Sequence, residues 1–228
     1  MFFNSSYILF MAPVLLLTML ASWYVRSAYN KWSKVPASSR LTGAQAAQRL
    51  VSSGPLYGVK IEGVAGNLSD HYDPRTKTLR LSQGVYSNAS VAAVAIAAHE
   101  LGHAMQDAED YLPLRFRAAL VPMVNIGSWL GWILIMIGLV LNALNLAWIG
   151  VLVFSGGALF ALATLPVELN ASARAKRLLS ETGIIQTEQE RRGVSIVLNA
   201  AALTYVAGLL TAIVQLLYFA SLVSGRRR

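Results

Sequence analysis

Cysteine is absent from this 228-residue chain. That excludes disulfide scaffolds, thiol nucleophiles and thiolate metal sites, and it leaves the redox compartment undetermined. Histidine occurs three times, as His71, His99 and His103, so any imidazole chemistry must use those three. Charge is also scarce: 13% of residues are charged and 55% are hydrophobic. Soluble domains carry roughly 25% charged residues, so this balance argues against a soluble globular protein. The abundance of apolar side chains equally excludes a disordered one. The formal net charge is +8, which suits either nucleic acid or an anionic membrane face. No aromatic–basic nucleic-acid motif is present, so no nucleic-acid partner is expected.

Three long uncharged runs decide the class: residues 1–25, 118–167 and 193–225. A bilayer core needs about 20 apolar residues as helix. The middle run is long enough for two spans, and Asn142 and Asn145 mark a break, giving Leu120–Leu141 and Leu146–Pro166. Four spans follow, organised as an anchor over 1–25, a water-exposed region over 26–117, two spans within 118–166, a helix over 167–199, a last span over 200–223 and a basic tail over 224–228. The first run lacks a basic region ahead of its apolar core, and its charges (Arg26, Lys31, Lys34) come after it. It therefore reads as an uncleaved anchor rather than a signal peptide. Segments 26–117 and 167–199 lie on one side in this scheme and hold sixteen of the nineteen basic residues. That side is expected to be cytoplasmic. Arg226, Arg227 and Arg228 run against the rule, unless the last segment does not cross.

Within the water-exposed part, Thr42 with Gln45 forms a capping box and Gly54 suits a helix stop, predicting a helix between them. Gly58–Val64 reads as a strand. Thr76–Ser82 alternates polar and apolar residues, which predicts a half-buried strand with an edge open to an extended peptide. Asp73-Pro74 is a turn signal. Ser90 can cap an alanine-rich helix from Val91 to Asp107.

That helix contains His99-Glu100-Leu101-Gly102-His103, an H-E-x-x-H sequence. At positions i and i+4 both imidazoles project from one helix face and can share one zinc ion. Glu100 lies beside that face, where a carboxylate can take a proton from a water that attacks a carbonyl. The plainer alternative is a pair of helix histidines held by hydrogen bonds alone. Gly102 argues for a packing or access requirement, since mid-helix glycine costs about 1 kcal/mol relative to alanine. A catalytic zinc site normally has three protein ligands. The metzincin pattern would need His at 109 and Gly at 106, where this chain has Glu109 and Gln106. Asp107, Glu109 and Asp110 are near in sequence, but Glu168 is favoured. It is the only acidic residue between Asp110 and Glu181, and it follows directly on a span. His71 and Tyr72 are candidates for holding an oxyanion or substrate backbone. For His71, a turn histidine paired with Asp70 or Asp73 is the equal alternative.

LSDHYDP (68–74), LRLSQGVYSNASVAAVAIAAHELGHAMQ (79–106), LPVELNASARAKRLL (165–179) and VLNAAALTYVAGLLTAI (197–213) together resemble the bacterial YugP-type membrane zinc metallopeptidases. The site design is similar to that of gluzincins such as the HtpX-type membrane proteases. The resemblance implies His99, His103 and Glu168 as ligands of one zinc ion and Glu100 as general base. Ser172 stands where HtpX-type proteins usually carry Asp, so Asn170 or Ser172 is left to support the zinc histidines.

The expectation is a mainly α, multi-span helical membrane protein with a small α+β zincin-like metallopeptidase domain between spans. It would hydrolyse peptide bonds of membrane or misfolded proteins at the cytoplasmic face of a bacterial cell membrane. The alternatives are a site-2-type intramembrane protease and a catalytically silent zinc-binding scaffold or adaptor.

Overall fold

The computed structural model of the protein describes residues 5–53, 56 and 58–227. Gly54, the expected helix stop, and Arg228, the end of the basic tail, lie outside them. The elements in order are α1 (Ser5–Trp32), α2 (Gly43–Ser53), β1 (Lys60–Val64), β2 (His71–Asp73), β3 (Thr78–Ser82), α3 (Gln83–Tyr86), α4 (Val91–Ala108), α5 (Leu112–Val140), α6 (Leu144–Phe154), α7 (Gly156–Glu181) and α8 (Glu188–Ser224). The protein is a mainly α membrane protein with a small α+β part. Among the described residues, four stretches are long and apolar enough to cross a membrane: Tyr7–Trp32, Leu112–Val140, Leu144–Glu181 and Glu188–Ser224. The chain divides into two compact units, one of apolar helices and one holding the sheet and the histidines.

The first unit comprises the chain up to Ser22, Leu112–Pro166 and Leu203 onward. Helices in lipid gain little from apolar burial against one another, so close backbone approach has to hold them together. Gly150 shows this. A Cβ there would stand 2.5 Å from the Ile135 amide nitrogen and 2.8 Å from the Gly131 carbonyl oxygen. The turn between α5 and α6 has Asn142 at φ 54°, a left-handed conformation that asparagine tolerates. Arg226 donates to the Leu139 carbonyl and, at 3.2 Å, to Asn142 Oδ1. A cation thus meets carbonyls left unpaired at the end of α5.

The second unit comprises Trp23–Tyr111 and Val167–Ala202. The Thr42–Gln45 capping box forms at both of its bonds, 3.0 and 3.2 Å, and starts α2. Ser90 Oγ accepts from the Ala93 amide at 3.2 Å and starts α4. Most of α4 is buried, including Val91, Val94, Ala97, Ala98 and Leu101. Its small side chains allow α2, α3 and the sheet to approach on several sides. Leu101 is fully buried among them, so removing its side chain to Ala would cost about 2–5 kcal/mol.

Several sequence expectations change. β3 is the middle strand, in the order β1-β3-β2, parallel to β1 and antiparallel to β2. Thr78, Leu79, Leu81 and Ser82 are all buried. The strand is therefore covered on both faces and has no free edge for a peptide. His71–Asp73, read as part of a turn, is the short strand β2, with Tyr72 opposite Leu79. The third apolar helix does not end at Pro166. α7 runs through it to Glu181, because a proline costs a helix one hydrogen bond but does not forbid continuation where packing holds it. The last helix begins at Glu188, not near 200, under a capping box in which Glu190 N–H donates to Thr187 Oγ1 at 3.2 Å.

Candidate metal centre

His99 and His103 lie one turn apart on α4, with ring centroids 4.9 Å apart and planes at 87°. Glu168 comes from α7. Its Oε2 is 3.3 Å from His99 Nε2 and 3.5 Å from His103 Nε2. The three ligand atoms all lie within 4.8 Å of one another. Tetrahedral zinc with bonds of about 2.0–2.2 Å separates neighbouring ligand atoms by about 3.3–3.5 Å. Two imidazole nitrogens and one carboxylate oxygen fit zinc in number and type, and both nitrogen–carboxylate separations match that spacing. Glu168 is 3% exposed, whereas the two histidine side chains keep 12% and 14%. The cluster is therefore open to solvent on the side of the imidazoles.

Gly102 explains how α7 comes so near. A Cβ on it would stand 2.6 Å from the Ala171 carbonyl oxygen and 3.0 Å from the Ala171 Cα. The two helix backbones touch at this point, one turn of α7 beyond Glu168. The glycine is a requirement of close approach.

Each imidazole is also held through its other nitrogen. His99 Nδ1 lies 3.2 Å from Ser172 Oγ. His103 Nδ1 lies 3.0 Å from Gln106 Oε1. Asn170 does not touch either ring directly: its Oδ1 accepts from Gln106 Nε2 at 3.0 Å. Burial alone would depress the His103 pKa, but the Glu168 hydrogen bond and the carboxylates of Glu100 and Glu168 raise it above the ordinary value.

Glu100 lies beside the cluster. Its Oε2 accepts from the Tyr72 backbone N–H at 3.1 Å, so β2 fixes this carboxylate from across the sheet. Burial pushes the Glu100 carboxyl upward, opposed by His99 and His103. The Tyr72 phenol donates to Asp107 Oδ2 at 3.1 Å. Burial and the nearby Asp107 and Asp73 push it up to about 12. His71 is exposed on β2, and its Nδ1 lies 2.8 Å from the Ser69 carbonyl oxygen. The structure thus brings together His99, Glu100, His103, Glu168 and Ser172. It leaves His71 outside and couples Tyr72 to Glu100 by backbone only. The nearby acids turn elsewhere: Asp107 to Tyr72, and Glu109 to a two-pronged pair with Arg174 at 2.7 Å for both bonds.

Sequence reasoning missed two supports. Gln106 is fully buried, and its signal was position: three residues after His103 on one helix is contact spacing. The Tyr72 N–H is a backbone group, and no residue type announces it.

A chain that has four membrane-long apolar stretches among its described residues, and that gathers two imidazoles from α4 and a carboxylate from α7, has the make-up of a membrane metallopeptidase. The family described as "Putative neutral zinc metallopeptidase" matches residues 7–224, and the chain belongs to it. The chain is 45% identical over 203 residues to the "Putative membrane protease YugP" of Bacillus subtilis (strain 168), covering 89% of this chain and 90% of that relative. No solved structure matches it.

Proposed function

We propose that this protein is a membrane-bound zinc endopeptidase that hydrolyses peptide bonds of membrane or misfolded proteins. The observation that carries the reading is the pair of Nε2 atoms converging on one Glu168 oxygen at 3.3 and 3.5 Å, with Glu100 beside them. His99, His103 and Glu168 would hold the ion. Zinc bound there supplies a Lewis acid that makes water acidic near neutral pH and polarises a substrate carbonyl. Glu100, kept in place by the Tyr72 amide, takes the proton as water attacks the carbonyl carbon. It then returns that proton to the amide nitrogen as the C–N bond breaks, so one carboxylate serves as base and then acid. Positioned proton transfer of this kind contributes about 10²–10⁴-fold in rate.

His99, Glu100 and His103 sit on a helix of 18 residues that is not among the four stretches long and apolar enough to cross a membrane, and only Glu168 comes from such a stretch, Leu144–Glu181. This favours a surface protease over a site-2-type intramembrane one. Sixteen of nineteen basic residues lie in the segments that carry the site, and this charge bias supports a reading in which the chemistry faces the cytoplasm of a bacterial cell. Glu100→Gln tests the enzymatic role. It is expected to keep zinc and to lose cleavage of an unfolded model substrate in detergent or liposomes. Equal cleavage by the variant and the wild type would remove Glu100 from the mechanism. Zinc binding without cleavage in the wild type would favour the silent scaffold.

A further inference from the structure

Metal binding through Nε2 requires that His103 carry its ring hydrogen on Nδ1. A neutral imidazole has two tautomers, and the environment must choose one. The choice can be followed from residue to residue here, and it begins on the outer side of α7.

Arg174 is a donor only. Two of its nitrogens are clasped by Glu109 at 2.7 Å each, and its guanidinium carbon stands 5.8 Å from the Tyr111 ring centre. Its Nε therefore has one direction left, and it donates to Asn170 Oδ1 at 2.7 Å. That contact fixes the Asn170 amide with its oxygen inward, since an NH₂ group there would face a donor. The same oxygen accepts from Gln106 Nε2 at 3.0 Å, and the Val167 carbonyl accepts from that nitrogen at 2.8 Å. Two acceptors on one side oblige the Gln106 amide to point its NH₂ at them. Its Oε1 is left facing His103 Nδ1 at 3.0 Å. An acceptor in that place demands N–H on Nδ1, which leaves Nε2, 3.5 Å from Glu168 Oε2, as the nitrogen for the metal. Gln106 is fully buried, so water does not compete for these bonds.

We infer that Arg174, Asn170 and Gln106 form a one-way hydrogen-bond relay that selects the metal-binding tautomer of His103. They are positioning residues, and none touches the ion or the reacting atoms. The inference rests on the zinc reading above and deepens it.

The test measures zinc affinity by chelator competition on the full-length protein in detergent, with imidazole tautomers read by ¹⁵N NMR on histidine-labelled protein. Gln106→Met removes the acceptor at nearly constant volume. It is expected to weaken zinc binding about 10- to 100-fold, the range for lost outer partners of a ligand histidine. Asn170→Leu breaks the relay one step earlier and should do likewise, which covers the case in which Gln106→Met fails to fold. Asn170→Asp keeps an oxygen between Arg174 and Gln106 and should bind zinc like the wild type. In the zinc-loaded wild type, His103 should bind through Nε2 and carry its proton on Nδ1. Wild-type zinc affinity in Gln106→Met or Asn170→Leu, or coordination of zinc through His103 Nδ1, overturns the relay while leaving the metal centre standing. Failure of the wild type to bind zinc overturns both.

Discussion

Gly102→Ala adds one methyl group at the place where α4 and α7 touch. Its Cβ would meet the Ala171 carbonyl oxygen at 2.6 Å, and ordinary contact begins at 3.4 Å. Local separation must grow by the difference, about 0.8 Å, against backbone that has no rotamer to yield. Two effects on stability oppose each other. Alanine gains about 1 kcal/mol of helix propensity over glycine, while overpacking costs about 1–3 kcal/mol. The net change is a loss of up to about 2 kcal/mol, so the variant is expected to fold. The metal centre is far less tolerant. Glu168 lies one turn before Ala171 on α7 and must move with it, whereas workable ligand distances vary by only about 0.2 Å. A shift of most of an ångström should lower zinc affinity by about 10-fold or more. The assay is zinc competition against a chromophoric chelator, with thermal unfolding in chelator as the control on folding. A folded Gly102→Ala protein that binds zinc as tightly as the wild type would refute the reasoning.

Glu168→Ala should strip zinc from the purified protein, whereas Glu109→Ala, which frees only the outer end of the relay, should still retain the ion; the reverse, read by elemental analysis, would move the third ligand to the end of α4. Asp73 offers a pH test: Arg80 donates to its carboxylate at 2.9 Å, assisted by Thr76 and the Arg75 amide, and holds it at about 2. Because the folded value lies below the unfolded value of about 3.9, this contribution is complete above the unfolded value and is lost as pH falls through about 2. Asp73→Asn should therefore flatten the acid slope of thermal unfolding, and an unchanged slope would count against the clasp. For sidedness, a reporter fused between Arg174 and Arg192 should read cytoplasmic, and an external signal would overturn the charge argument.

The chain announces the parts of its fold that depend on local chemistry. The Thr42–Gln45 box and the Ser90 cap start their helices where expected, because a cap is satisfied within one turn. The break near Asn142 forms for a similar local reason. The H-E-x-x-H spacing puts both imidazoles on one face by helix geometry alone. What was hidden depends on partners distant in sequence. β2 is three residues long and exists through pairing with β3, so its residues look like the turn beside them. The placement of β3 at the centre of the sheet is likewise decided by β1 and β2, which are written elsewhere in the chain. Pro166 looked like a stop because a proline says nothing about the neighbours that carry a helix past it. The support of His103 was hidden most deeply: Gln106, Asn170 and Arg174 are ordinary helix residues until α4 and α7 lie side by side.

Joint binding of one ion by His99, His103 and Glu168 underlies the proposed chemistry. Crystals of the zinc-loaded protein, measured across the zinc absorption edge, test it most directly. A single strong anomalous peak is expected about 2.0–2.2 Å from His99 Nε2, His103 Nε2 and a Glu168 carboxylate oxygen. A peak bound by other side chains, or by the two histidines with Glu168 turned away, would contradict it.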